Sequence, residues 1–214
     1  MGAKTWMLVY ADSNARDALG VRPQLDREGT LKLANKLFPG EKLKPIGDGD
    51  LSYTCPADDE LHIGCFPGVS VIAAKEFGID HPSKLPRSFI AAGGEGKIYL
   101  HAMHSMVDWF AYALWANGTL VRSLSLAPDS GILEDIGQRL RFEEPYWSGQ
   151  HPAVDAAQRD TYPFAFHPLE LGEAALKELF GYQLEGLVYS TLLEPESIPL
   201  VRYKRSRFRW WFWR

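Results

Sequence analysis

The sequence lacks the local patterns that mark common enzyme chemistries. It contains no G-x-S-x-G nucleophile turn. The stretch GGEGK at 93–97 fails as a phosphate loop because no glycine stands five residues before Gly96 and Ile98 follows the lysine. No cofactor is predicted. We therefore expect a non-catalytic binding or regulatory protein.

Cysteine is scarce, and long apolar runs are missing. The two cysteines, Cys55 and Cys65, are expected to be free and buried, as is typical of a reducing compartment. The opening MGAKTWMLVYADS carries a single lysine and a short apolar run that ends at Asp12, which fits neither a signal peptide nor a transmembrane helix. These features predict a first β-strand and a cytoplasmic protein.

Positive charge is unevenly spread along the chain. The formal net charge is −4, yet six of the 23 basic residues stand in the last thirteen positions, where there is no Asp or Glu. Without those six, 17 basic residues face 27 acidic ones, so the rest of the chain carries −10. Because phosphate contact needs a basic face, this excludes broad nucleic-acid binding outside the end of the chain.

Turn residues and apolar spacing predict an α+β fold with a mostly antiparallel central sheet. An apolar run at 4–11 and two short runs on either side of Pro67-Gly68 predict strands, and Asn117-Gly118 predicts a tight hairpin. Helical spacing at about 27–38 and 169–180 predicts two helices packed on the sheet.

The remaining segments complete the expected organisation. Residues 127–161 are rich in Pro, Gly, Asp and Gln, which indicates a long, partly irregular surface excursion. The stretches 187–193 and 198–204 predict one or two strands. We expect a single domain over residues 1–203 and a basic aromatic tail over 204–214.

The stretch HAMHSMVDW at 101–109 is the densest group of polar side chains in apolar surroundings. A helix here would place His101, His104 and Asp108 on one face, where they could hold a metal ion. A strand, turn and second strand, which the flanking apolar runs favour, would place the two histidines on opposite faces. A metal-assisted hydrolase using these residues, with Asp12 after the first strand, is the alternative to a binding protein, although no metal site is predicted.

The tail ends in RFRWWFWR and is the strongest candidate for partner binding. Its alternation favours a strand with arginines on one side and rings on the other. The predicted contact residues are Arg205, Arg207, Phe208, Arg209, Trp210, Trp211, Phe212 and Trp213. Four possible contacts of the tail remain open: the acidic body or a twin subunit, a partner protein, a membrane surface, and single-stranded nucleic acid.

Several blocks together resemble a known family. These are GAKTWMLVYAD, IYLHAMHSMVDWFAYALWANGTLVRSLSLAPD, EPYWSGQHP and FHPLELGEAALKELFGYQLEG. They are similar to a family of uncharacterised bacterial proteins, frequent in actinobacteria, that is catalogued as a domain of unknown function. The resemblance covers roughly residues 2–186 and excludes the tail. It implies no activity, cofactor or catalytic residue.

Overall fold

A nine-stranded antiparallel sheet organises the protein in the computed structural model, which describes residues 2–153, 162–186 and 190–207. The strand order is β2-β9-β3-β4-β1-β5-β6-β7-β8. The strands are β1 (Lys4–Ala11), β2 (Glu41–Asp50), β3 (Glu60–Phe66), β4 (Val69–Ala73), β5 (Lys97–His104), β6 (Trp109–Ala116), β7 (Thr119–Ala127), β8 (Gly131–Ile136) and β9 (Pro199–Arg207).

Helices cover both faces of the sheet. They are α1 (Ala15–Gly20), α2 (Arg27–Leu37), α3 (Arg87–Ala92), α4 (Glu144–Trp147) and α5 (Pro168–Phe180). One buried cluster lies under α1 and α5, and the other lies under α2 and α3. In β1, Met7 and Val9 enter the first cluster while Leu8 and Tyr10 enter the second, as the two-residue period of a strand requires. The fold is therefore α+β and mostly sheet.

The central elements predicted from the sequence agree with the structure. The strand at 4–11 is confirmed, and so is the hairpin at Asn117-Gly118, where both residues have positive φ. The two expected helices are confirmed as α2 and α5. Asp26 caps α2 by accepting the backbone N–H of Gly29 at 2.9 Å.

The long surface excursion expected over 127–161 is not confirmed. Within it, β8 extends the sheet by pairing with β7, and α4 forms a short helix. The last part of this range, 154–161, lies outside the described residues. Residues 190–193, expected to belong to a strand, form a turn, whereas 187–189 lie outside the described residues.

Candidate functional site

His101 bridges three elements from inside the core. Its side chain is fully buried, with Nδ1 2.7 Å from the hydroxyl of Thr5 on β1 and Nε2 3.0 Å from the carbonyl oxygen of Gly172 on α5. The carbonyl can only accept, so Nε2 donates and Nδ1 accepts from Thr5. Burial lowers the pKa of His101 to about 4, which keeps the ring neutral. Both ring nitrogens are therefore engaged in holding α5 to the sheet.

The structure does not bring the other hydrolase candidates together. Strand alternation puts His104 on the face opposite His101. Asp108 lies in the turn after β5 with φ of 48°, and its Oδ2 is 3.6 Å from Nε2 of His167. Asp12 follows the far end of β1, which is roughly 24 Å from the His104 end at about 3.4 Å per residue. Within the described residues, no group of three or more His, Cys, Asp or Glu is arranged to hold a metal ion.

The tail candidates divide into two groups. Arg205 on β9 is only 8% exposed and donates four hydrogen bonds, two to Glu41 and two to Glu76, at 2.6–3.0 Å. Its guanidinium lies 4.3 Å from the centre of the Phe38 ring. Arg207 ends β9 opposite Glu41. The residues Phe208, Arg209, Trp210, Trp211, Phe212 and Trp213 lie outside the described residues. Arg205 is thus engaged within the chain.

A cleft of about 670 Å³ beside α5, called here the α5 cleft, is lined by seven titratable side chains. It is bordered by α5, by the segment that follows α5, by the start of β1 and by α4. The polar side chains in its wall are Tyr146, His151, His167, Glu170, Glu173, Lys177, Gln183 and Glu185. No sequence pattern had placed these residues together.

The two ends of α5 fix the shape of the α5 cleft. At the start, Nδ1 of His167 accepts the N–H of Leu169 at 3.3 Å and so caps the helix, while Nε2 faces Asp108. At the end, Gly181 adopts the left-handed conformation with φ of 84°, which glycine tolerates without strain. The chain then reverses direction and returns Gln183 to Glu185 along the helix.

The Glu173 carboxyl lies against the backbone of the segment that follows α5. Its Oε2 accepts the backbone N–H of Leu184 at 2.8 Å, whereas its buried Oε1 has no hydrogen-bond partner in the part of the chain that the structure describes. The same is true of the buried Oε1 of Gln183. Burial raises the pKa of Glu173 to about 7, against the lowering effect of hydrogen bonds from the backbone of Leu184 and Glu185, and the nearby Glu185 carboxylate adds to the rise. Glu173 and Gln183, which both line the α5 cleft, thus each carry a buried oxygen without a hydrogen-bond partner among the described residues.

Glu185 joins the cleft to the start of the sheet. One of its carboxylate oxygens accepts the backbone N–H of Ala3 at 2.7 Å, just before β1 begins. A second cavity, of about 870 Å³, shares Ala3, Gln183 and Glu185 with the α5 cleft. Its charged groups include Arg22 and Glu194, which pair with each other at 3.5 Å. Glu173 and Gln183 both line the α5 cleft, whereas only Gln183 of these two also lines the second cavity.

A buried ion pair fixes the opposite wall. Arg122 and Glu143 are both fully buried and form two hydrogen bonds, Nε to Oε1 at 2.9 Å and a terminal nitrogen to Oε2 at 2.7 Å. Glu143 also accepts from the hydroxyl of Tyr112 and from the backbone of Leu140. Because Glu143 immediately precedes α4, this network sets the position of Tyr146 in the cleft wall.

Tyr146 gives the cleft an aromatic side. Its hydroxyl donates to the carbonyl oxygen of Glu170 at 3.2 Å, which ties α4 to α5. Its ring stacks on His151 with centroids 4.3 Å apart. The cleft therefore combines a carboxyl-rich floor with a flat aromatic wall.

One sequence signal points to Glu173, although the helix prediction did not use it. Glu173 stands four residues after Leu169 and three before Leu176, so it falls on the apolar stripe of α5. Glutamate is rarely buried in such a stripe without a partner. Gln183 and Glu185 carry no comparable signal, because they reach the cleft only through the reversal at Gly181.

These features define an α+β protein in which an antiparallel sheet is covered by helices on both faces and a polar cleft lies beside the last helix. No described helix is long and apolar enough to cross a membrane. The chain belongs to a family of unknown function, DUF6928, whose profile matches residues 5–203. This confirms the resemblance to a domain of unknown function. Neither a curated protein nor a solved structure matches the chain.

Proposed function

We propose that this is a non-catalytic binding protein and that the α5 cleft holds a small polar ligand. The observation that carries the proposal is the pair of buried acceptor oxygens on Glu173 and Gln183, which lack donors among the described residues. A buried polar atom without a hydrogen bond costs about 1–3 kcal/mol, so such atoms are kept where something else supplies the bond.

Binding is favoured over the predicted hydrolase because His167, Asp108 and His101 already make structural contacts. His167 caps α5 through Nδ1 and faces Asp108 through Nε2, and His101 is buried with both nitrogens engaged. A general base needs a nitrogen or oxygen within reach of the substrate proton. The hydrolase alternative would have to draw on His104 and Asp12, which lie at opposite ends of the β1–β5 pair.

Protein-observed NMR with a library of small fragments tests this proposal. We expect the hits to shift the backbone amides of Gln183, Leu184 and Glu185, because these residues line the cleft and are joined to Glu173 and Ala3. Hits that shift only amides elsewhere, or a complete absence of hits, would contradict a binding site in the α5 cleft.

A second candidate function is association with a partner protein or a second subunit through the tail. It is favoured by the anchoring of β9, which lies between β2 and β3 and contains the first residues of the tail. Arg202 and Lys204 on β9 pair with Glu60 and Asp59 at 3.1 and 2.8 Å. The strand is thus held firmly by the acidic body, and the aromatic residues beyond Arg207 remain the proposed contact.

Removal of 208–214 tests this second candidate without disturbing Arg205. We expect the unfolding midpoint to stay the same while the molar mass in solution, or recovery of a partner in a pull-down, changes. Liposome and oligonucleotide binding by the same pair of proteins test the membrane and nucleic-acid alternatives. An unchanged result in the mass and pull-down measurements would contradict association through the tail.

A further inference from the structure

We infer that the α5 cleft takes a ligand with a protonated amine, which Glu173 and Gln183 hold by hydrogen bonds. This inference rests on the proposed binding function and names the chemical class of the ligand. Its basis is the kind of atom that the cleft leaves without a partner, the charge of its wall and its aromatic side.

The unpartnered oxygen of Glu173, once this carboxyl is ionised, and that of the Gln183 amide are both hydrogen-bond acceptors. Oε1 of Glu173 and Oε1 of Gln183 need donors, and a protonated amine carries two or three donors and no acceptor. A carboxylate or phosphate ligand would offer only acceptors and would leave both oxygens unsatisfied. A hydroxyl has one proton to donate and could serve only one of them.

The negative charge of the α5 cleft wall also favours a cationic ligand. The carboxyl groups of Glu170, Glu173 and Glu185 line the cleft together with a single lysine, Lys177. A cation in this space is attracted by the carboxylates, and partial burial strengthens the attraction relative to bulk water. When a cation binds, Glu173 is stabilised in its charged form, so the hydrogen bond becomes charge-assisted.

The carboxylates are poorly arranged for a metal ion. One oxygen of Glu173 already accepts the N–H of Leu184, and one oxygen of Glu185 accepts the N–H of Ala3, so neither oxygen is free for a metal ion. Calcium takes six to eight oxygen ligands and magnesium an octahedron of six. An organic ammonium needs only a few acceptors, and the stacked rings of Tyr146 and His151 provide a flat surface for its carbon body.

Benzylamine and its uncharged analogue benzyl alcohol serve as probes of the full-length protein. We expect benzylamine to shift the amides of Gln183 and Leu184, and benzyl alcohol to bind at least about tenfold more weakly, because a hydrogen bond to a charged group contributes about 1.5–3 kcal/mol. Glu173→Gln keeps an oxygen that can accept from Leu184 but removes the charge, and should weaken benzylamine binding by about tenfold or more.

Two further variants keep the test informative. Glu178→Gln lies on the same helix, but Glu178 is exposed and pairs with Arg16 at 3.5 Å, so benzylamine binding should not change. Gln183→Met removes the second acceptor at similar volume and should weaken benzylamine without affecting the amide dispersion of the folded protein.

The outcomes separate this inference from the proposed function. Equal binding of benzylamine and benzyl alcohol, or full benzylamine affinity in Glu173→Gln, would overturn the amine while leaving the cleft as a binding site. If neither probe shifts the backbone amides of the cleft but other fragments do, the inference of an amine ligand is likewise overturned. If no compound of any class binds there, the proposed function fails and the inference fails with it.

Discussion

Glu173→Gln should change how the stability of the protein depends on pH. In the folded chain the buried Glu173 carboxyl has a pKa of about 7, against 4.5 for an ordinary glutamate. The folded state therefore binds the Glu173 proton more tightly than the unfolded state does. The stabilisation that this provides is fully present below about pH 4.5 and is lost as the pH rises to about 7.

The size of the effect follows from the difference between the two pKa values. It corresponds to a loss of about 3 kcal/mol in the free energy of unfolding of the parent protein across this pH range. Glutamine does not titrate, so the Gln variant escapes this loss. The titratable groups that share the cleft with Glu173 or interact with it, among them Glu170, Lys177, Tyr182 and Glu185, are the same in both proteins, and their direct contributions largely cancel in the comparison.

Urea unfolding followed by tryptophan fluorescence, at several pH values between about 4.5 and 8, measures this difference. We expect the free energy of unfolding of Glu173→Gln, relative to the parent, to increase by about 3 kcal/mol from the acidic to the alkaline end. Glu178→Gln is the matched control, and its difference from the parent should not follow this course. A difference for Glu173→Gln that stays constant with pH would refute the argument that Glu173 is buried with a raised pKa.

Three other substitutions test the contacts that shape the fold and the cleft. Glu143→Gln should lower the free energy of unfolding by about 3 kcal/mol in urea denaturation, because it removes the fully buried carboxylate that pairs with Arg122 and leaves only the partly exposed Asp135 to balance that buried charge; a loss below about 1 kcal/mol would contradict this. Arg205→Met should cost about 2–3 kcal/mol by removing four buried hydrogen bonds, and an unchanged thermal midpoint would show that they contribute nothing. Gly172→Ala places a methyl group 3.1 Å from both Met103 and the Phe110 ring, so calorimetry should show a loss of about 1–3 kcal/mol; equal or higher stability would mean that α5 can move away freely.

The sequence predicted the elements whose patterns are local. The turn pairs Pro67-Gly68 and Asn117-Gly118 and the apolar spacing of α5 depend on residues close together in the chain, and all agree with the structure. The edge strands β2 and β8 were missed because neither contains a buried residue, so no apolar alternation marks them. In β2, Pro45 and Gly47 also interrupt the pattern, at the point where its pairing with β9 shifts register.

The candidate site depends on contacts between distant segments. The hydrogen bond from Ala3 to Glu185 joins the start of the chain to the segment after α5, and the one from Leu184 to Glu173 joins that segment to α5; no local pattern encodes either contact. A glutamate on the apolar stripe of α5 was the one local sign of the cleft. The residues that meet Glu173 in the cleft are brought there by the chain reversal at Gly181, which the sequence pattern does not show.

A crystal structure of the protein with benzylamine bound tests the central claim most directly. We expect the amine nitrogen in the α5 cleft, about 2.7–3.2 Å from Oε1 of Glu173 and from Oε1 of Gln183. Benzylamine bound elsewhere, or an α5 cleft in which protein groups already donate to both of these oxygens, would contradict it.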